Sequence, residues 1–95
     1  MILLKNWGLI RMNYRYSIRK KAMKFIRKQE RKQQERLLKS IYSLPFGDVK
    51  KMSGEDNLYR LRVGNFRLLF RLFPQSNEIT LIDVTDADNR GQVYK

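Results

Sequence analysis

Arginine recurs at alternate positions around Gly64 and Asn65, with Arg60 and Arg62 before the pair and Arg67 and Arg71 after it. Glycine first in a two-residue loop marks a type II′ turn. Closing a hairpin there sets Val63 opposite Phe66, Arg62 opposite Arg67 and Arg60 opposite Leu69, so the four guanidinium groups share one sheet face. Like charges directly opposite cost roughly a few tenths of a kcal/mol or more, and such a face calls for compensating anions. One reading leaves the arginines spread into solvent or paired with Asp83, Asp86 or Asp88. The other is a phosphate site, because the guanidinium fork matches phosphate oxygens and stays charged at any working pH. The chain has no histidine and no cysteine, which excludes imidazole acid–base chemistry, thiolate attack and ordinary zinc sites. No metal and no cofactor is expected.

The elements that must hold this face follow from hydrophobic period. Tyr14, Tyr16 and Ile18 alternate with Arg15 and Ser17, as in a short half-buried strand. Over residues 20–28, Ala22, Phe25, Ile26 and then Gln29 fall at helical spacing among Lys21, Lys24, Arg27 and Lys28. A second helix over residues 31–43 has Leu37, Leu38, Ile41 and Leu44 as its apolar stripe. Residues 29–34 hold no Gly or Pro, so two helices and one bent helix are both open; Pro45 and Gly47 stop the second. Residues 46–57 are polar and turn-rich. Beyond them Tyr59, Leu61, Val63, Phe66, Leu68, Phe70 and Leu72 form the apolar face of the hairpin, and residues 74–77 turn the chain into a last strand over 78–84. The expected fold is α+β: a strand, a two-helix hairpin, then a three-stranded antiparallel meander with the helices packed on one sheet face.

A length of 95 residues fits one domain. The net charge of +12 and a pI near 10.4 point to a polyanionic partner. Residues 1–51 carry 15 Lys and Arg against 3 acids, and residues 52–95 carry 6 against 6. Lys24, Arg27, Lys28 and Lys32 on the helices are therefore candidates for RNA phosphate contacts that read no sequence. The opening MILLKNWGLI is broken by Lys5, Asn6 and Gly8. It is too short and interrupted for a spanning helix or a signal peptide, so a cytoplasmic protein with no membrane role is expected. Met12 offers a second initiation point, and residues 1–11 read as a loosely attached extension of a domain over 12–95.

The segment LYRLRVGNFRLLF, residues 58–70, resembles the signature hairpin of the RelE/ParE toxin superfamily. Two flanking stretches agree with it: LPFGDVKKMSG, residues 44–54, is similar to the family's link into that hairpin, and Arg90-Gly91-Gln92-Val93-Tyr94 resembles its C-terminal R-x-x-V-Y. The resemblance spans residues 12–95 and implies a type II toxin with a compact microbial-ribonuclease-like fold. RelE-type members cut messenger RNA in the ribosomal A site; ParE-type members poison DNA gyrase without cleavage. By position, Arg60 and Arg67 fall on the family's hairpin cations, and Arg90 and Tyr94 on its C-terminal catalytic pair. Lys50 and Lys51 lie where ribosome-dependent members also carry basic residues, and Arg62 joins them as a phosphate contact. The resemblance further implies a cognate antitoxin, acidic and partly disordered, with operator DNA reached only through the antitoxin complex.

Cleavage of RNA by its own 2′-hydroxyl needs a proton acceptor, positive charge on the phosphorane oxygens and a donor to the leaving 5′-oxygen. Tyr94 is the best acceptor if neighbouring arginines lower its pKa from about 10, and Arg67 and Arg90 would stabilise the developing charge. So poor a base must lean on positioning, which fits an enzyme active only on the ribosome. Where the family often has His or another basic residue before the last arginine, this chain has Asp86-Ala87-Asp88-Asn89. Carboxylates there repel substrate, and they open a minor alternative in which Asp88 is the base. Tyr94 could equally pack as a buried ring, and Arg90 pair with Asp86 or Asp88. The leading expectation is a ribosome-dependent mRNA interferase giving a 2′,3′-cyclic phosphate and a 5′-hydroxyl. Its competitors are a gyrase inhibitor with no chemistry of its own and a basic RNA-binding module.

Overall fold

The structure, a computed structural model, describes residues 13–54 and 56–89. In chain order its elements are β1 (Asn13–Ile18), α1 (Lys20–Arg27), α2 (Arg31–Ile41), β2 (Val49–Lys51), β3 (Leu58–Val63), β4 (Phe66–Pro74) and β5 (Ile79–Asn89). The class is α+β as expected, but the sheet is a mixed one of five strands in the order β1, β5, β4, β3, β2. The expected meander is its centre. β1 adds to one edge in parallel with β5, from Asn13 opposite Ile79 to Ile18 opposite Val84, and β2 adds to the other edge antiparallel to β3.

The hairpin register is the one that its turn dictates. Val63 pairs with Phe66, Arg62 with Arg67 and Arg60 with Leu69. Gly64 has φ +59°, and positive φ falls on the first turn position only, as a type II′ turn requires. A Cβ at Gly64 would stand 2.9 Å from the guanidinium nitrogens of Arg36 on α2.

Helices and sheet meet over one apolar layer. Ala22, Ile26, Leu37 and Ile41 from the helices are buried against Leu61, Val63, Phe66, Leu68, Phe70, Ile82 and Val84 of the sheet. Burying each large side chain of this kind contributes about 1.5–3 kcal/mol. Phe25 meets Phe66 edge-on at 5.9 Å, and Tyr59 stacks on its register partner Phe70 at 5.5 Å.

The helical segment is two helices with a break at residues 28–30, which has neither Gly nor Pro. Glutamine amides hold it instead: Gln34 Nε2 donates to the carbonyls of Arg27 and Gln29, and Gln29 Nε2 to that of Phe25. These satisfy carbonyls that a helix end leaves open. The second helix stops at Ile41, two residues short of expectation. Tyr16 Oη on β1 donates to the Leu44 carbonyl at 2.8 Å and also reaches that of Tyr42 at 3.2 Å, tying the exit of α2 to the sheet. Burial, with Tyr14 adding to it, pushes the Tyr16 hydroxyl above its ordinary pKa.

The last strand was expected over 78–84 and runs instead to Asn89 through a bulge. Leu69 pairs with Asp86 while Phe70 pairs with Val84, leaving Thr85 as the extra residue. Val84 faces the core before the bulge and Ala87 faces it afterwards, so the alternation changes phase. Residues 1–11, read as an extension, and the pair Arg90 and Tyr94 lie outside the described residues.

Candidate functional site

On the sheet face away from the helices, consecutive strands bring like residues into rungs. One rung runs Lys50, Arg60, Leu69, Asp86, and the next runs Arg62, Arg67, Asp88. Lys50, Lys51, Met52, Ser53, Arg60, Arg62 and Arg67 line one cavity of about 300 Å³. The five hairpin and β2 cations proposed for phosphate handling are thus together. Lys50 joins them because it is the register partner of Arg60. Lys51, opposite Tyr59, points to the other face by alternation but still contributes to the wall.

The carboxylates around this cavity decide its electrostatics. Arg67 Nη2 donates to Asp88 Oδ2 at 2.8 Å, and Arg60 Nη2 lies 3.6 Å from Asp48 Oδ1. The backbone N–H of Arg62 donates to the Asp48 carbonyl at 3.0 Å, carrying the β2 edge one residue past the strand. The buried Nε atoms of Arg60 and Arg62 have no hydrogen-bond partner among the described residues. A buried donor left unmatched costs about 1–3 kcal/mol, so these two guanidinium groups weigh against stability where they stand. Five cations against two carboxylates leave the cavity cationic, and guanidinium groups suit oxyanions.

The other acids proposed as partners are committed elsewhere. Asp83 is buried and bonded to Arg19 at 2.9 Å, and Asp86 lies 3.4 Å from Lys21. Arg71 is too far along β4 to line the cavity; its Nη1 donates to the Asp56 carbonyl at 2.9 Å. Of the helix cations, Lys24, Arg27 and Lys28 border a separate groove of about 690 Å³ floored by Ile18 and Met23. They belong to the helix layer, which packs on the opposite face of the sheet. Lys32 is exposed and not part of that lining.

Asp48, Met52 and Ser53 carry no signal in the sequence that would mark them for this site. They sit in the stretch read as turn-rich, where β2 is three residues long and leaves almost no alternation to detect. Among the described residues no cluster of acids could hold a metal, and no helix is long and apolar enough to cross a membrane.

No family model matches the sequence, and no curated protein does. Solved structures do. A chain of the RelB-RelE antitoxin-toxin complex from Methanococcus jannaschii superposes with a TM-score of 0.62 at 22% identity, covering 82% of this chain and 94% of its own. A chain of the RelBE2 toxin-antitoxin complex from Mycobacterium tuberculosis gives 0.65 at 17% identity, covering 83% and 100%. The fold is therefore RelE-like, and the resemblance of the hairpin extends to the architecture around it.

Proposed function

We propose that this chain is the toxin of a type II toxin–antitoxin pair and acts as a ribosome-dependent endoribonuclease in the cytoplasm. The observation that carries the reading is the cavity in which Lys50, Lys51, Arg60, Arg62 and Arg67 converge, on a fold shared with chains of two toxin–antitoxin complexes. Arg60, Arg62 and the two lysines take the phosphate backbone of the message. Arg67 and Arg90 stabilise charge on the phosphorane oxygens as the 2′-hydroxyl attacks, and Tyr94 takes its proton. The 5′-oxygen leaves as its bond to phosphorus breaks and takes a proton from water, giving a 2′,3′-cyclic phosphate and a 5′-hydroxyl. The ribosome supplies positioning that a phenol base needs, an effect worth up to about 7–11 kcal/mol. Lys24, Arg27, Lys28 and Lys32 on the helix layer hold ribosomal RNA through phosphates. An acidic, partly disordered antitoxin silences the protein by covering its cationic surface.

The bond between Arg67 and Asp88 favours a second reading, a ParE-like gyrase inhibitor, because it engages the cation that cleavage most needs. Induction in growing bacteria separates the two. Translation arrest with messages cut at A-site codons and bearing 5′-hydroxyl ends is expected. A DNA-damage response with double-strand breaks and intact messages would transfer the assignment to gyrase.

A further inference from the structure

Each carboxylate of β5 engages a cation, yet the three do different things. Asp83 and Asp86 reach Arg19, between β1 and α1, and Lys21 in the first turn of α1, and so brace the fold. Asp88 stands directly opposite Arg67 and bonds to it, a cation that lines the cavity. The bulge at Thr85 puts it there. Val84 faces the core, and an unbroken alternation would turn residues 86 and 88 inward with it; the extra residue sends Ala87 inward and Asp88 onto the cationic face. A bulge that brings an acid to a cationic cavity calls for a reason beyond packing.

Asp88 Oδ2 takes Nη2 of Arg67 at 2.8 Å, while its Oδ1 is buried with no hydrogen-bond partner among the described residues. A fixed negative charge therefore already sits beside the cavity that Arg67 lines. Any incoming anion is attracted by the five cations and repelled by this carboxylate, as it is by Asp48 beside Arg60. Repulsion scales with ligand charge, so a resident anion penalises a dianion about twice as heavily as a monoanion, in free energy.

We propose that Asp88 is a specificity-determining residue that cuts the advantage a dianionic terminal phosphate would otherwise have in this cationic cavity, and so shifts selectivity toward the singly charged internal phosphodiester. The inference rests on the reading of the cavity as a phosphate site and adds the feature that chooses among phosphates. A diester inside an RNA chain keeps one charge at any working pH, whereas a chain end, a nucleotide or free phosphate carries nearly two. A toxin surrounded by nucleotides gains from holding them less tightly.

The test titrates the full-length protein, labelled for amide NMR, with the dinucleoside monophosphate UpU, a monoanion, and with uridine 3′-monophosphate, a dianion at about pH 8. Amide shifts of Arg62 and Arg67 report occupancy. In Asp88→Asn, binding of the dianion should tighten about five- to tenfold more than that of UpU, the effect of one unit charge at a partly exposed site. Asp88→Ser, which removes the charge with different sterics, should agree. Equal tightening of both ligands, or none, overturns the proposal, as does loss of a dispersed spectrum in both variants, since Asp88 would then be only a structural partner of Arg67. Absence of shifts with either ligand in the unaltered protein would instead remove the phosphate cavity itself.

Discussion

Arg62 and Arg67 stand directly opposite each other across the hairpin, and only Arg67 has an acid partner on the next strand, Asp88 at 2.8 Å. The sequence alone implies that both arginines cost folding stability. The structure separates them. Arg62→Leu removes a like-charge pairing and a buried Nε with no partner, and should raise stability by about 0.5–1 kcal/mol. Arg67→Leu strips Asp88 of its guanidinium and should lower stability by about 1 kcal/mol, a value reduced for partial exposure. Thermal unfolding reads the signs, with about 4–8 °C per kcal/mol for a domain of this size. Shifts in the same direction would show that Asp88 does not offset the repulsion.

Tyr16 makes the stability depend on alkaline pH. Its hydroxyl is held neutral by burial, with Tyr14 adding to the effect, so its pKa in the fold exceeds the unfolded value of about 10. The native state then retains a proton that the unfolded chain releases. The contribution is complete below about pH 10 and is lost as pH rises through the folded value. Tyr16→Phe should cost about 0.5–1.5 kcal/mol at neutral pH for the missing hydrogen bond. It should also shed this part of the alkaline loss, so that denaturation curves of the two proteins converge above pH 10. Parallel curves would remove Tyr16 as the cause.

Gly64 combines a positive φ with the close approach of Arg36. The guanidinium is the far end of a flexible side chain and can step aside, but the backbone cannot. Gly64→Ala should therefore lose about 1–2 kcal/mol through conformation alone. Adding Arg36→Ala should restore none of it. Recovery in the double variant would assign the cost to the steric clash.

The helix cations make a different prediction, since Lys24, Arg27, Lys28 and Lys32 are all exposed. Replacing the four together by Gln should flatten the salt dependence of ribosome association by about 0.7–0.9 in log–log slope for each phosphate that is no longer neutralised. Stability should change little, by about 0.5 kcal/mol or less per site. An unchanged slope would place ribosomal RNA on some other surface.

How far the sequence could be read depended on whether local signals reached the feature. The hairpin register followed from Gly64 and the alternating apolar residues, because a two-residue turn fixes the phase of both strands. The stripes through Ile26 and Ile41 likewise located the helix faces. The extension of β5 was hidden, because the bulge at Thr85 breaks the period and Asp86 and Asp88 look like loop residues. The pairing of β1 with β5 joins segments more than sixty positions apart, which no local pattern encodes. At the candidate site the arginines were visible by their spacing. Their partners Asp48 and Asp88 became identifiable only once the strands lay side by side.

Tyr94 lies outside the described residues, and its role is decided by chemistry. If it takes the 2′-hydroxyl proton, Tyr94→Phe removes the base while keeping the ring, and cleavage should fall by about 10² to 10⁴. Binding to the ribosome should hardly change. With no histidine in the chain, the rate should show no inflection near the imidazole pKa of about 6.5 and should climb toward alkaline pH until the phenol has ionised. A gyrase inhibitor would keep its toxicity in the same variant, since a hydroxyl at a binding surface contributes only about 0.5–1.5 kcal/mol. Single-turnover cleavage on programmed ribosomes across pH distinguishes these outcomes. Equal rates for the two proteins would take Tyr94 out of the reaction and leave Asp88 or Lys51, both beside the arginine cluster, as the groups to test for proton transfer.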